Sequence, residues 1–214
     1  MKNLMFVSLL LTNVLCCDSS SPADFGDLVR KMQGYILCTA VEHRDISLVK
    51  KLIEDGAPVG FHCNALGVTL LHKAVGLDPE SKEMVRLLVE AGAPVDGELA
   101  VIAGTPLHSV LLDLVARRIE NNLSQAELDH GKGIVQTLLD AKADPNAKMA
   151  GVELTPLHLA ARLCDEKLVQ QLMKAGANPE LCDSRGVKLL ELATETCEKG
   201  FVDAFRRVIS ENKS

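Results

Sequence analysis

Aromatic residues are scarce: they make up 3% of the 214 residues, and tryptophan is absent. A core without large rings is filled by leucine, alanine and valine, which favours helices packed at close range. Basic runs longer than a pair are missing as well. The formal net charge is −6, from 29 acidic and 23 basic residues. Non-specific nucleic-acid binding needs a basic face and is therefore not expected. The Cys-x-x-Cys pair of zinc ribbons and thioredoxin-like motifs does not occur. Neither does a His-Glu-x-x-His, a Gly-x-Ser-x-Gly or a glycine-rich phosphate loop. What the chain does have is 47% hydrophobic residues, enough for a folded domain with a real core.

The first residues read differently from the rest. Lys2 precedes an apolar stretch from Leu4 to Leu15, followed by Cys16, Cys17, Asp18 and three serines. A charged start, a short apolar run and small residues after it make a secretory signal peptide, here assigned to residues 1–17. A lipid anchor at Cys16 or Cys17, as in bacterial lipoproteins, is the second reading, although Leu15 or Cys16 is a poor match for the small residue expected before the modified cysteine. An uncleaved anchor is the third. The run is short of the roughly 20 apolar residues of a membrane-spanning helix. A secreted or periplasmic location is expected, with a membrane-anchored lipoprotein as the alternative.

A repeat organises the remainder. Thr69, Leu71, His72 and Ala74 recur as Thr105, Pro106, Leu107 and His108, and again as Thr155, Pro156, Leu157, His158 and Ala160. Each group is followed by a second signature: Leu87 to Gly92 and Asp96, Leu138 to Lys142 and Asn146, Leu172 to Gly176 and Pro179. These paired motifs resemble the ankyrin repeat family, and the resemblance runs from residue 34 to about residue 209. In that register two degenerate units flank the clear ones. The motif-threonine positions are 35, 69, 105, 155 and 188, so the spacings are 34, 36, 50 and 33. The fold class implied is an all-α solenoid of stacked helix–turn–helix units with short turn or hairpin tips. Residues 34–210 would form the repeat domain, 18–33 a linker and N-terminal capping helix built on Phe25, Leu28 and Val29, and 211–214 a tail.

Local chemistry explains each unit. Thr105 and Thr155 are N-caps, and the proline after each stands where its missing N–H costs nothing. Gly56, Gly92 and Gly176 end the second helix in a left-handed conformation. Lys142 stands at that position in the third unit, so a distorted helix end is expected there. The same unit carries about sixteen extra residues between its helices, and Ser124 with Glu127 forms a capping box inside them. This predicts a prolonged first helix answered by extra turns of the second, making a projecting hairpin. Arg117, Arg118, Glu120, Asn121 and Asn122 would lie on its face, and Asn122 and Ser124 frame a glycosylation sequon.

The seven cysteines show no pairing at motif spacing, which favours free thiols packed as small apolar groups. Cys63 and Cys182 would be the ones to react in an oxidising compartment. His72, His108 and His158 fall one per unit, too far apart to surround one ion. The family resemblance implies that they bond backbone groups between units. Glu42, His43, Arg44 and Asp45 read as a solvated helix end rather than acid–base machinery. No catalysis, cofactor or metal is expected.

The resemblance instead implies partner binding at the tips and the exposed ends of the first helices. Carried over, the tip positions include Ala65, Leu66, Val68, Val101, Ile102, Val152, Leu154, Ser184 and Arg185, and the helix positions include Glu42, His43 and Arg162. Three of these tips are mostly apolar, which marks a surface that meets another molecule. The expected function is an exported module that recognises a protein partner through the tips and the concave inner-helix surface. A constitutively bound stabilising subunit of an enzyme is the alternative. A monomer is expected.

Overall fold

A computed structural model describes residues 25–97 and 104–211. Among these the chain forms ten α-helices: α1 Phe25–Glu42, α2 Ile46–Glu54, α3 Leu70–Ala74, α4 Ser81–Glu90, α5 Pro106–Ile119, α6 Gln125–Asp140, α7 Pro156–Leu163, α8 Glu166–Lys174, α9 Leu189–Thr196 and α10 Lys199–Glu211. They pair as five hairpins in chain order. Each first helix packs on the first helices of its neighbours, α1 on α3, α3 on α5, α5 on α7 and α7 on α9. The second helices α4, α6, α8 and α10 stack in parallel behind them. Leu37, Leu70, Leu71, Leu107, Leu111 and Leu157 fill the seams as one continuous buried core. The stack is therefore all-α, as its repeat implies.

The expected capping helix is not a separate element. Leu28 and Val29 lie on the first two turns of α1, which runs without a break to Glu42. Inside α1, a Cβ on Gly34 would stand 2.5 Å from the Phe61 ring, so the helix tolerates glycine there to let the tip approach.

Chain direction at the helix ends is set by left-handed residues. Gly56, Gly92 and Gly176 have φ of 81°, 86° and 95°. Lys142 takes the same conformation at φ 69°. Its end is not distorted: the Ala143 amide bonds the Leu138 carbonyl at 3.0 Å, as Ala93 bonds Leu88 and Ala177 bonds Leu172. The surrounding bonds hold Lys142 there against a cost of roughly 1–2 kcal/mol.

The inserted hairpin forms as the sequence predicts. In units one and four the first helix is turned out by Arg44 (φ 57°) and Cys164 (φ 53°), nine residues past the motif start at 35 and 155. Unit three has no such turn, and α5 continues to Ile119 before Asn121 (φ 55°) reverses the chain. Ser124 then restarts it: its hydroxyl accepts the Glu127 amide at 3.2 Å, and Glu127 accepts the Ser124 amide at 2.9 Å.

Among the described residues, two disulfides cross the ends of the stack. Cys38 bonds Cys63 and Cys164 bonds Cys197, each with Cα atoms 5.7 Å apart. Cys182 is a free thiol. The expectation of free thiols throughout is thus corrected for four of them. Cysteines 25 and 33 residues apart give no local pairing signal, yet stacking brings them together. Closing loops of that length removes about 3–4 kcal/mol of unfolded-chain entropy per bridge on the loop-closure account.

Candidate partner-binding surface

The repeated threonine and histidine build one device per unit. Each threonine backbone amide donates to the histidine Nδ1, at 3.3 Å for Thr69 and His72, 3.2 Å for Thr105 and His108, and 3.2 Å for Thr155 and His158. Nδ1 accepts that bond, so the proton of the neutral ring sits on Nε2, an assignment made from the bonding network. From His72, Nε2 donates to the Gly104 carbonyl at 3.1 Å, and from His108 to the Leu154 carbonyl at 3.2 Å. Both acceptors belong to the next unit. His158 departs from the pattern. The Leu181 backbone faces its Nε2 outside hydrogen-bond geometry, and the nitrogen has no partner among the described residues. Burial lowers the pKa of all three rings, to about 4 for His108. His72 and His108 therefore each join one pair of units as neutral donors, rather than converging on a shared site.

The tips are short hairpins. Antiparallel bridges pair His62 with Thr69 and Cys182 with Lys188. Asn64 closes the first by accepting the Leu66 and Val68 amides at 3.1 and 3.2 Å. Asp183 does the same for Arg185 and Val187 at 2.9 and 3.0 Å. Gly67 and Gly186 follow at φ 77° and 74°. Burial alone would raise the Asp183 carboxyl. The Arg185 guanidinium and the two amides outweigh it and hold the carboxyl below its usual range.

The ankyrin repeat family model matches residues 153–184, one unit of the stack. A palmitoyltransferase of Kluyveromyces lactis is 36% identical over 70 residues, which cover 33% of this chain and 9% of that protein. The matched unit shares with units two and three its threonine cap, the threonine-to-Nδ1 bond and the left-handed end of the second helix. The chain is an ankyrin-repeat protein.

Within this ankyrin stack the sequence-derived surface sorts by register. The position three before the motif threonine points outward: Leu66 is 51% exposed and Val152 43%. Arg185 shares it, exposed but folded onto Asp183 at 2.8 Å. Ala65 and Ser184 are exposed beside them. The position one before the motif turns inward. Val68 and Leu154 are half-buried, and Leu154 packs on the core. These two are backing for the tips rather than contact surface, a correction to the continuous apolar row. Val101 and Ile102 lie outside the described residues, as do the leader and Cys16 and Cys17.

The helix positions are accessible. Glu42 is exposed and pairs with Lys73 at 3.1 Å. His43 is exposed, its Nδ1 donating to the Thr39 carbonyl at 2.8 Å. Arg162 is exposed. Arg44, read as part of a solvated end, is instead a clamp. Its Nη1 donates to the Lys73 and Ala74 carbonyls at 2.8 and 3.0 Å, and its Nη2 meets Asp78 at 2.9 Å. It caps α3 from the neighbouring unit. Asn64, Asp183 and Arg44 were missed in sequence. The spacing Asn64 to Gly67, repeated as Asp183 to Gly186, was the available signal for the tips.

The register carries one further consequence. Cys38 occupies the histidine position of unit one, and Cys63 lies six before the motif start of unit two. His158 and Cys182 hold the same two positions one seam from the other end. The variant His158→Cys is expected to bridge to Cys182 on air oxidation, removing the free thiol. Persistent labelling of two thiols in the folded variant would contradict this register.

Proposed function

We propose that this protein is an exported, non-catalytic binding module that grips a partner protein with its tips and the exposed ends of its first helices. The observation that carries the reading is the outward, apolar Leu66 and Val152 on tips held rigid by Asn64 and by a bond from the Ser184 amide to the Val152 carbonyl at 3.1 Å. Apolar side chains on fixed backbone lose little freedom on docking, which favours them as anchors. Glu42, His43, Arg162 and Ser184 supply a polar rim. Two disulfides support export, because such bonds persist in oxidising compartments and are rare in reducing ones.

Capture from native extract tests the surface. The paired variant Leu66→Asp with Val152→Asp is expected to lose a partner by at least about tenfold, since buried charges cost several kcal/mol at an interface. Lys174→Glu on α8, on the opposite face, is expected to retain it. A partner held equally by both variants would refute the tip assignment.

A further inference from the structure

The four seams between units are joined by different chemistry. At the second, His72 reaches the Gly104 carbonyl. At the third, His108 reaches Leu154, and Lys132 of α6 meets Asp165 at the head of α8 at 2.6 Å. At the first, Cys38 replaces the histidine and bonds Cys63, while Arg44 clamps α3 and Asp78. The fourth seam has neither device: His158 finds no acceptor, and Cys164 stands where unit one has Arg44. What crosses that corner is the Cys164–Cys197 bond, joining the end of α7 to the end of α9.

We infer that the Cys164–Cys197 disulfide is a redox-sensitive latch holding the fifth unit, α9 and α10, on the stack. The two bridges also differ in access. Cys164 and Cys197 are both half-exposed, whereas in the N-terminal bridge Cys63 is half-exposed and Cys38 is 6% exposed. Thiolate attack on a disulfide depends on reaching a sulfur, and both cysteines of the C-terminal bridge are open to it. A dithiol reductant supplies two electrons and two protons. It attacks one sulfur to form a mixed disulfide, then closes on itself as a cyclic disulfide, leaving Cys164 and Cys197 as two thiols. Unit five then depends on apolar packing of Leu189, Leu192 and Phe205 and on the tip bond from the Ser184 amide to the Val152 carbonyl, across a seam with an unpartnered buried donor. Units two to four keep their histidine bonds and stay stacked. Opening the latch leaves the tip that carries Ser184 and Arg185 tied to the row by the Ser184–Val152 bond.

Hydrogen exchange on the purified full chain, oxidised and then treated with dithiothreitol, reads this directly. Residues 189–211 are expected to exchange at least about tenfold faster after reduction, as a locally opening unit does, while 105–174 are unchanged. The double variant Cys164→Ser with Cys197→Ser should reproduce the change without reductant, and Cys38→Ser with Cys63→Ser should not. Undiminished protection of 189–211 in the reduced chain would overturn the inference. So would a loss of protection shared equally by 105–174.

Discussion

Replacing Lys132 with alanine is expected to lower the stability of the stack by about 3 kcal/mol, the scale seen when one member of a buried ion pair is removed. The side chains of Lys132 and Asp165 are 10% and 15% exposed and meet at 2.6 Å. Asp165 has a second duty, accepting the Leu168 amide at 2.8 Å as the cap of α8. Without the ammonium its carboxylate is left half-desolvated between two units. Burial works against the charge on Lys132, but Asp165 and Asp129 outweigh it and raise its pKa. The pair Lys132→Met with Asp165→Asn removes both charges and keeps the cap, and is expected within about 1 kcal/mol of the parent. Urea denaturation measures both. A loss below about 1 kcal/mol for Lys132→Ala would mean that solvent screens the pair and that the third seam is held by packing, His108 and the Gln171–Gln136 bond.

Acid is expected to loosen the middle of the stack before its carboxylates are protonated. Burial lowers the His108 pKa from 6.5 to about 4, so the folded ring stays neutral where the unfolded ring is charged. Above pH 6.5 both states are neutral and the contribution is complete. As the pH falls towards 4 the unfolded chain binds the extra proton, and stability declines by about 3 kcal/mol in total. His72 and His158 shift in the same direction and add to the slope. The check is the midpoint of urea unfolding across this range. His108→Gln, with no proton to bind there, should flatten part of the slope although it is less stable at neutral pH. An unchanged slope in that variant would place the acid sensitivity elsewhere.

The repeat was legible because its signals are local. A threonine, a proline and a histidine within four residues announce a capped helix, and Ser124 with Glu127 announced the restart of the inserted hairpin. Tip polarity was legible only in part. Gly67 between them, at φ 77°, turns the chain, so Leu66 is outward and Val68 inward although composition treats them alike. The features that join units were not legible one unit at a time. Cys38 and Cys63, Cys164 and Cys197, Arg44 and Asp78, and Lys132 and Asp165 are each separated by more than two dozen residues. They become neighbours only when the units are superposed in register and side-chain direction is known. Lys142 shows the converse. It takes a left-handed conformation that its Cβ disfavours, and the helix-end bonds hold it there.

The most direct measurement is a hydrogen-exchange footprint of the chain with a captured partner. Protection confined to residues 62–69, 148–155 and 182–188 and to the ends of α1 and α7 is the result expected for recognition through the tips. Protection of the outer helices α4, α6 and α8, with the tips exchanging freely, would contradict it.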